Sequence, residues 1–493
     1  MKKMTTVLKV SIVLILLFLA FGVFFTSQLE AAMTAAQAFV FAHFGWYFQI
    51  LVTLLLIFAV YLGFSKYGNV RLGKPDEKPE FNRLTWFTML FSAGIGIGLL
   101  FYGVSEPIGH FSSPPNGEGG AESDAIRGVS STWLHWGLHA WAIYALVALA
   151  LALQQFRYQA PGLMSTTLRP VLGKYAYGPV ANVVDTIAVF ATLFGVAASL
   201  GLGSQQINAG LQFIFGVPYN LGVQFIIMTI VTIIFVTSAS TGIQRGIKYL
   251  SNINLSLTGI LLLFMLIAGP TLFLINMFAS GLSDYVQNFL GWGLRMDPID
   301  EQEASWTQNW TVFYWAWWIS WTPFVGMFVA RISRGRTIRE FMAGVLLVPS
   351  IVSFFWFSTL GGSAIFLELF EGREVSSQSL ETALFYVLET YPLGGVMSVF
   401  AIIVVTIFFV TTADSATFVL GMQTTGGSLN PPVSIKIMWG IFFVSVTAIL
   451  LVVGGLSAFQ TAIVVSALPL SVIVILMCIG IVKTLNLDQK RGK

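Results

Sequence analysis

Four tryptophans, Trp315, Trp317, Trp318 and Trp321, crowd one apolar segment, FYWAWWISWTPFVGMFVARISRGRTIR, between Phe313 and Arg339. Tryptophan in membrane proteins collects at the two interfaces, yet these residues run on into the middle of a stretch long enough to cross a bilayer. On a helix, Trp317, Trp321, Phe324 and Phe328 share one face, at spacings i, i+4, i+7 and i+11. A column of aromatic faces with no acid on the same segment suits a cation that cannot donate hydrogen bonds, a quaternary ammonium above all. The competing explanation is a Trp-rich packing seam between helices.

Such a column needs helices to hold it, and the composition says what kind. The chain has 493 residues, 56% of them hydrophobic and 10% charged, with a mean hydropathy of +0.81. A water-soluble protein of that make-up would expose large apolar patches, so the chain reads as an all-α integral membrane protein. Cys478 is the single cysteine, which excludes an internal disulfide. Lys2 and Lys3 followed by an apolar run resemble a signal peptide, but the run is long and leads into further spans, so it is taken as the first membrane helix. Windows of about 20 apolar residues place twelve spans near 7–27, 46–65, 84–109, 133–155, 182–209, 222–239, 250–278, 309–331, 341–367, 394–421, 437–455 and 460–482. The amphipathic piece 281–292 is too short to cross and is expected at an interface.

With twelve spans both termini share a side. Every Lys and Arg except Arg127, Arg295 and Arg373 then falls on that side, while acids gather in the opposite loops 116–127, 297–303 and 368–389. The positive-inside rule makes the termini cytoplasmic, in a bacterial plasma membrane.

Two spans carry residues that break helices. Gly94, Gly96 and Gly98 sit in the middle of the third; Pro323 and Gly326 follow the tryptophans in the eighth. Backbone groups freed in the bilayer are tolerable only where they line a cavity or meet a ligand. Spans 3 and 8 each open a run of five, and breaks at matching places in two halves point to an inverted repeat with a midplane site. The expected division is 1–83 for the two N-terminal helices and their loop, 84–292 for the first repeat with the interfacial helix, 293–482 for the second repeat, and 483–493 for a short tail. Bare glycine N–H groups at a half-helix start attract a carboxylate, while the rings accept an alkylated cation. The pair describes a compact zwitterion.

The stretch FYWAWWISWTPFVGMFVARISRGRTIREF, together with GIGIGLLFYGVSEP, LHWGLHAWAIYA, GIKYLSN and TADSATFVLGMQT, resembles the betaine/carnitine/choline transporter family over nearly the whole chain. Within it the match is nearest to the sodium-coupled glycine betaine carriers. The resemblance implies two N-terminal helices before a leucine-transporter-like five-plus-five inverted repeat, and a homotrimer. It places an aromatic cage on Trp136, Trp141, Tyr144, Trp317, Trp318 and Trp321, a carboxylate site at Gly94, Gly96 and Gly98, and Phe324 and Phe328 in the exit path. One sodium site maps to Thr411 and Thr412 with the carbonyls of Ser92, Ile95 and Phe408; another maps to Thr192 and Phe324. Val196 stands where some members have a second threonine, which departs from that second ligand set. Sodium-independent exchangers of the family lack the SWTPFVGMF reading, so the resemblance implies ion-driven net uptake of a betaine as an osmoprotectant. Gly98 stands where glycine goes with betaine rather than choline.

Other polar residues leave alternatives open. Asp414, the one acid inside the tenth span, would serve a proton-coupled choline carrier, or bind freed backbone N–H groups. His135 and His139 form an i, i+4 pair that could hold a metal; with no third ligand nearby in sequence they read as packing or hydrogen-bonding residues. Glu106 reads as a loop anchor at the end of its span. The arginines Arg331, Arg334, Arg336 and Arg339 read as topology determinants and lipid contacts. A membrane-embedded enzyme acting on choline lipids would need a nucleophile–base pair in the core, and none is legible. No cofactor beyond sodium as co-substrate and no nucleic-acid partner is expected; the lipid bilayer and the betaine are.

Overall fold

Apolar runs placed in lipid must satisfy their own N–H and C=O groups, which forces helices. The computed structural model describes residues 4–94, 96–241 and 244–490, with the side chains of 91–94, 239–241 and 244–249 outside that description. Among the described residues everything regular is helical apart from one isolated bridge, Arg71 to Thr337. Ten helices are long and apolar enough to cross a membrane; the interrupted third span and the Trp-rich eighth complete twelve.

The first two spans are α1 (Thr6–Phe24) and α2 (Thr26–Phe64). At 39 residues α2 starts far ahead of the apolar window at 46–65. Its first half holds Gln28, Glu30 and Gln37, which lower hydropathy without opposing a helix. The third span is α3 (Arg83–Gly94) and α4 (Ile97–Ser112); the fourth is α5 (Glu122–Trp136) and α6 (Leu138–Ala152). Then come α7 (Pro179–Phe215), α8 (Leu221–Thr241) and α9 (Gln244–Ala268). The interfacial piece is a full helix, α10 (Thr271–Gly293), beginning ten residues earlier than the sequence pattern implied because Pro270 cannot continue α9. The last five spans are α11 (Phe313–Ile332), α12 (Ile338–Glu371), α13 (Gly394–Thr424), α14 (Val433–Val453) and α15 (Leu456–Lys490). Five is an odd number, so this set enters the membrane from the side opposite to spans three to seven.

The breaks differ from expectation in one respect. The third span is interrupted as foreseen, with Gly96 extended at φ −129°, ψ −165°. The eighth is not broken at Pro323: α11 runs through it unbroken. Proline removes the N–H that would reach the carbonyl of Ile319, and the Thr322 hydroxyl donates to that carbonyl instead, at 2.7 Å. The second interruption lies in the fourth span, at Gly137 (φ −100°, ψ −138°). A Cβ there would stand 2.5 Å from the Trp133 carbonyl and 2.6 Å from the Phe354 ring, so glycine is required.

One end of the bundle gathers the basic loops. The Thr5 hydroxyl donates to the Thr424 carbonyl, Tyr67 to Asn486, and Arg157 to Asp488 at 2.7 Å and to the carbonyls of Arg71 and Gly73. Both termini therefore lie at that end. Arg334 pairs with Glu77, Arg336 pairs with Glu340 while lying over the Trp86 ring, and Arg339 donates to the Gly63 carbonyl at 3.1 Å, so three of the four arginines from Arg331 to Arg339 are structural ties. The Arg157–Asp488 pair is almost wholly buried. Asp488→Ala leaves a buried guanidinium without its counter-ion, held only by the two carbonyls, a loss of about 3 kcal/mol. A clear drop in the melting temperature of detergent-purified protein is expected; an unchanged melt would show that the pair contributes nothing.

Candidate functional site

α11 packs against α6, α7 and α15, and α4 lies against α5, α7 and α12, so the tryptophans of α11 face the interrupted spans rather than lipid. Trp136, Trp141, Tyr144, Trp317, Trp318 and Trp321 are all buried. Trp136 meets Trp318 edge to face at 4.9 Å and Trp317 at 6.3 Å; Trp318 meets Tyr144 at 6.2 Å, and Tyr144 meets Trp141 at 5.6 Å. Trp317 and Trp318 lie parallel at 5.0 Å. Five of them, Trp136, Trp141, Tyr144, Trp317 and Trp318, form one connected group of rings from α5, α6 and α11; Trp321, one turn further along α11, meets Phe324 instead. In this conformation the rings close on one another. Two clefts elsewhere, one at Arg127 and Asp284, the other at Arg71, Arg83 and Arg336, include none of them.

The helix break touches these rings. A Cβ on Gly98 would lie 3.0 Å from Trp136 and 3.2 Å from Trp317, and one on Gly96 would lie 3.6 Å from Trp321. The N-terminal turn of α4, with its unpaired N–H groups and positive dipole end, therefore points into the box. The indole N–H groups of Trp317 and Trp321 and the Tyr102 hydroxyl are buried with no partner among the described residues. Buried donors without acceptors are rare, and an anionic group would satisfy them. Gly98→Ala pushes a methyl between two indoles, and an apparent KM several-fold higher is expected in a transport assay, with fold intact. Unchanged KM would remove Gly98 from the site.

Along the aromatic face of α11, exposure rises from 1% at Trp317 and 5% at Trp321 through half-buried Phe324 to 38% at Phe328. The Trp321 ring meets Phe324 edge-on at 5.8 Å. The face leads outwards from the box.

Glu106 corrects the sequence reading most. It is not a loop anchor: it is 0% exposed and accepts four hydrogen bonds. Oε1 receives His135 Nδ1 at 2.7 Å and His110 Nε2 at 3.2 Å; Oε2 receives Trp136 Nε1 at 2.8 Å and the Tyr314 hydroxyl. The carbonyl of His135 in turn accepts from Trp318 Nε1 at 2.7 Å. The carboxylate is thus saturated by donors and holds two walls of the box, Trp136 directly and Trp318 through His135. His139 does not join His135; it stacks on Trp315 at 5.3 Å with neither nitrogen partnered among the described residues. Sequence reasoning took Glu106 for a loop anchor and passed over His110 and Tyr314. The signal was an acid and a histidine four apart in an otherwise apolar span.

The threonines that the resemblance assigns to sodium lie on α7 and α13. Thr411, half-buried, donates back to the carbonyls of Ile407 and Phe408, at 2.9 and 3.2 Å; the Thr412 hydroxyl has no partner among the described residues. Thr192 is buried and donates to the Ala188 carbonyl at 2.8 Å. Ile95 lies outside the described residues, as do the side chains of Ser92 and Gly94.

Twelve spans around a buried, ring-walled site at a helix break are the architecture of a membrane transporter. The model of the betaine/carnitine/choline family transporters matches residues 6–490, and the chain belongs to that family of secondary transporters, not to an enzyme family. It is 50% identical over 96% of its length to the glycine betaine transporter OpuD of Bacillus subtilis, covering 92% of that protein. It is 40% identical over 98% of its length to the ectoine/hydroxyectoine transporter of Virgibacillus pantothenticus, covering 97% of that chain. Among solved structures, a substrate-bound, outward-open Na+-coupled sialic acid symporter aligns with 87% of this chain and 85% of its own, at 12% identity and a TM-score of 0.46.

Proposed function

We propose that the protein is a sodium-coupled symporter importing glycine betaine, a trimethylammonium carboxylate, across a bacterial plasma membrane with both termini cytoplasmic. The observation that carries this is the contact between the break and the box: the start of α4 at Gly96 and Gly98 lies against Trp321, Trp136 and Trp317. In this reading Trp136, Trp141, Tyr144, Trp317, Trp318 and Trp321 surround the methylated nitrogen, and the N–H groups around Gly96 and Gly98 receive the carboxylate. Each ring face contributes about 0.5 to 2 kcal/mol, so three or four faces supply a part of the roughly 8 kcal/mol that micromolar binding requires, and the carboxylate contacts must supply the rest together with the ordering costs. Primary amines are disfavoured because the nearest carboxylate, Glu106, already accepts four donors. The Na+ would sit against Thr411 and Thr412 and stabilise the substrate-ready arrangement through differential affinity. Phe324 and Phe328 would line the exit. The accumulated betaine, excluded from protein surfaces, would favour folded states under osmotic stress; a homotrimer is the expected assembly.

The test is uptake of radiolabelled glycine betaine into proteoliposomes with sodium and proton gradients imposed separately. Uptake driven by sodium and competed by other trimethylammonium compounds is expected. Equal uptake driven by a pH gradient in sodium-free buffer would overturn the coupling. Thr412→Ala is expected to raise the half-saturating sodium concentration about tenfold, the equivalent of about 1.4 kcal/mol. Thr411→Ala should do less, since that hydroxyl is already engaged with its own helix. A sodium response unchanged in both variants would remove this pair from the ion site.

A further inference from the structure

We propose that Glu106, His110 and His135 form a binding site for a transition-metal ion of the zinc type. One carboxylate oxygen and one nitrogen from each imidazole lie within 4.8 Å of one another, and all three side chains are buried. Glu106 and His110 are four apart on α4, so they share a helix face; His135 comes from α5. The Oε1-to-nitrogen distances, 2.7 and 3.2 Å, are hydrogen-bond lengths, and an ion replacing the two protons would open the shorter one by about half an ångström towards the ~3.3 Å between ligand atoms of a tetrahedral site with bonds of about 2.0 Å. Two imidazoles and a carboxylate suit Zn²⁺ or Co²⁺, and not the all-oxygen preference of Na⁺ or Mg²⁺.

The His110 ring is held between Trp306 at 4.9 Å and Trp310 at 4.6 Å, with Nε2 turned to Glu106 and Nδ1, on the other ring edge, buried with no partner among the described residues. Those two indoles are half-buried, which places His110 next to the surface at the 293–308 segment. Binding needs no net proton release from the histidines. The proton on His135 Nδ1 moves to Nε2, where Thr311 at 3.0 Å changes from donor to acceptor, and the proton on His110 Nε2 moves to Nδ1. Two of the three ligands already have outer partners of the kind metal sites use: Trp136 and Tyr314 stay on Glu106 Oε2, Thr311 stays on His135 Nε2 and Trp318 on the His135 carbonyl, while the His110 Nδ1 proton has no acceptor among the described residues. A bound ion would fix two walls of the aromatic box.

The chain has four histidines, which makes the test clean. Purified protein stripped with chelator is titrated with Co²⁺ and its visible spectrum followed, then back-titrated with Zn²⁺. The wild type should bind one ion per chain at micromolar concentration, with the d–d bands of a four-coordinate site that Zn²⁺ bleaches. His43→Ala, at an exposed position, should behave as wild type; His110→Gln, which keeps a donor for Glu106, should lose the bands, and so should His135→Gln. A wild type without the bands overturns the site, as does a folded His110→Gln that keeps them. The parallel arm rests on the proposed function: micromolar Zn²⁺ should slow betaine uptake at least tenfold in wild type and His43→Ala, and spare His110→Gln. Slowing that persists equally in His110→Gln would place the inhibitory ion elsewhere. The spectra decide the metal site even if betaine is not the substrate.

Discussion

Glu106→Leu is expected to yield no stable transporter. The substitution strands the N–H groups of His110, His135 and Trp136 and the Tyr314 hydroxyl inside the bundle. Each buried donor left without an acceptor costs about 1 to 3 kcal/mol, so four approach the whole stability of a typical domain, about 5 to 15 kcal/mol. Fluorescence-detected size-exclusion chromatography should show aggregate where wild type gives a single peak. Glu106→Gln separates folding from function, because one amide oxygen still accepts while the NH₂ group confronts two donors. That variant should fold with a lower melting temperature and a raised KM, since Trp136 loses its fixed partner. A Leu variant that melts and transports like wild type would mean that the buried carboxylate does not organise the box.

Trp318→Leu should raise the apparent KM for glycine betaine about tenfold while leaving the protein folded and its maximal rate within about twofold. The estimate takes one lost cation–π face at the upper end of about 0.5 to 2 kcal/mol, and 1.4 kcal/mol per decade. Trp318 also donates to the His135 carbonyl and packs against Trp136, Trp317 and Tyr144. Trp318→Phe keeps an aromatic face and loses that hydrogen bond, so it distinguishes the two contributions. A KM restored most of the way in Phe assigns the effect to the face; a KM as high as in Leu assigns it to positioning. Wild-type KM in both variants would sink the cage.

Much of the bundle was legible because period and length suffice for membrane helices: twelve spans, shared-end termini and a break at Gly96 all follow from apolar runs, charge placement and glycine spacing. The rings themselves were legible too, since six aromatics clustered in two motifs have few other uses. What the sequence concealed depends on contacts across the fold. Pro323 reads as a break until Thr322 is seen taking over the Ile319 carbonyl. Gly137 looks like an ordinary helix glycine until Phe354 and the Trp133 carbonyl are found where a side chain would go. Glu106 and His135 lie 29 residues apart, and no local pattern predicts that one carboxylate would gather donors from three helices. The start of α10 was missed because the apolar run continues across Gly269 and Pro270 without a change in hydropathy.

The two halves of the molecule are mechanically unequal. Spans three and four contain the two joints, at Gly96 and Gly137; Trp136 adjoins the second in the chain, and Gly98, just past the first, approaches its ring. The eighth span is a splinted rod, its proline bridged by a neighbouring hydroxyl. Any bending around the substrate must therefore fall on spans three and four, with the tryptophans of α11 serving as the anvil against which those limbs flex. Amide deuteration should reveal it: the N–H groups of Ile97, Gly98 and Leu138 should exchange well before those of Ile319 to Thr322.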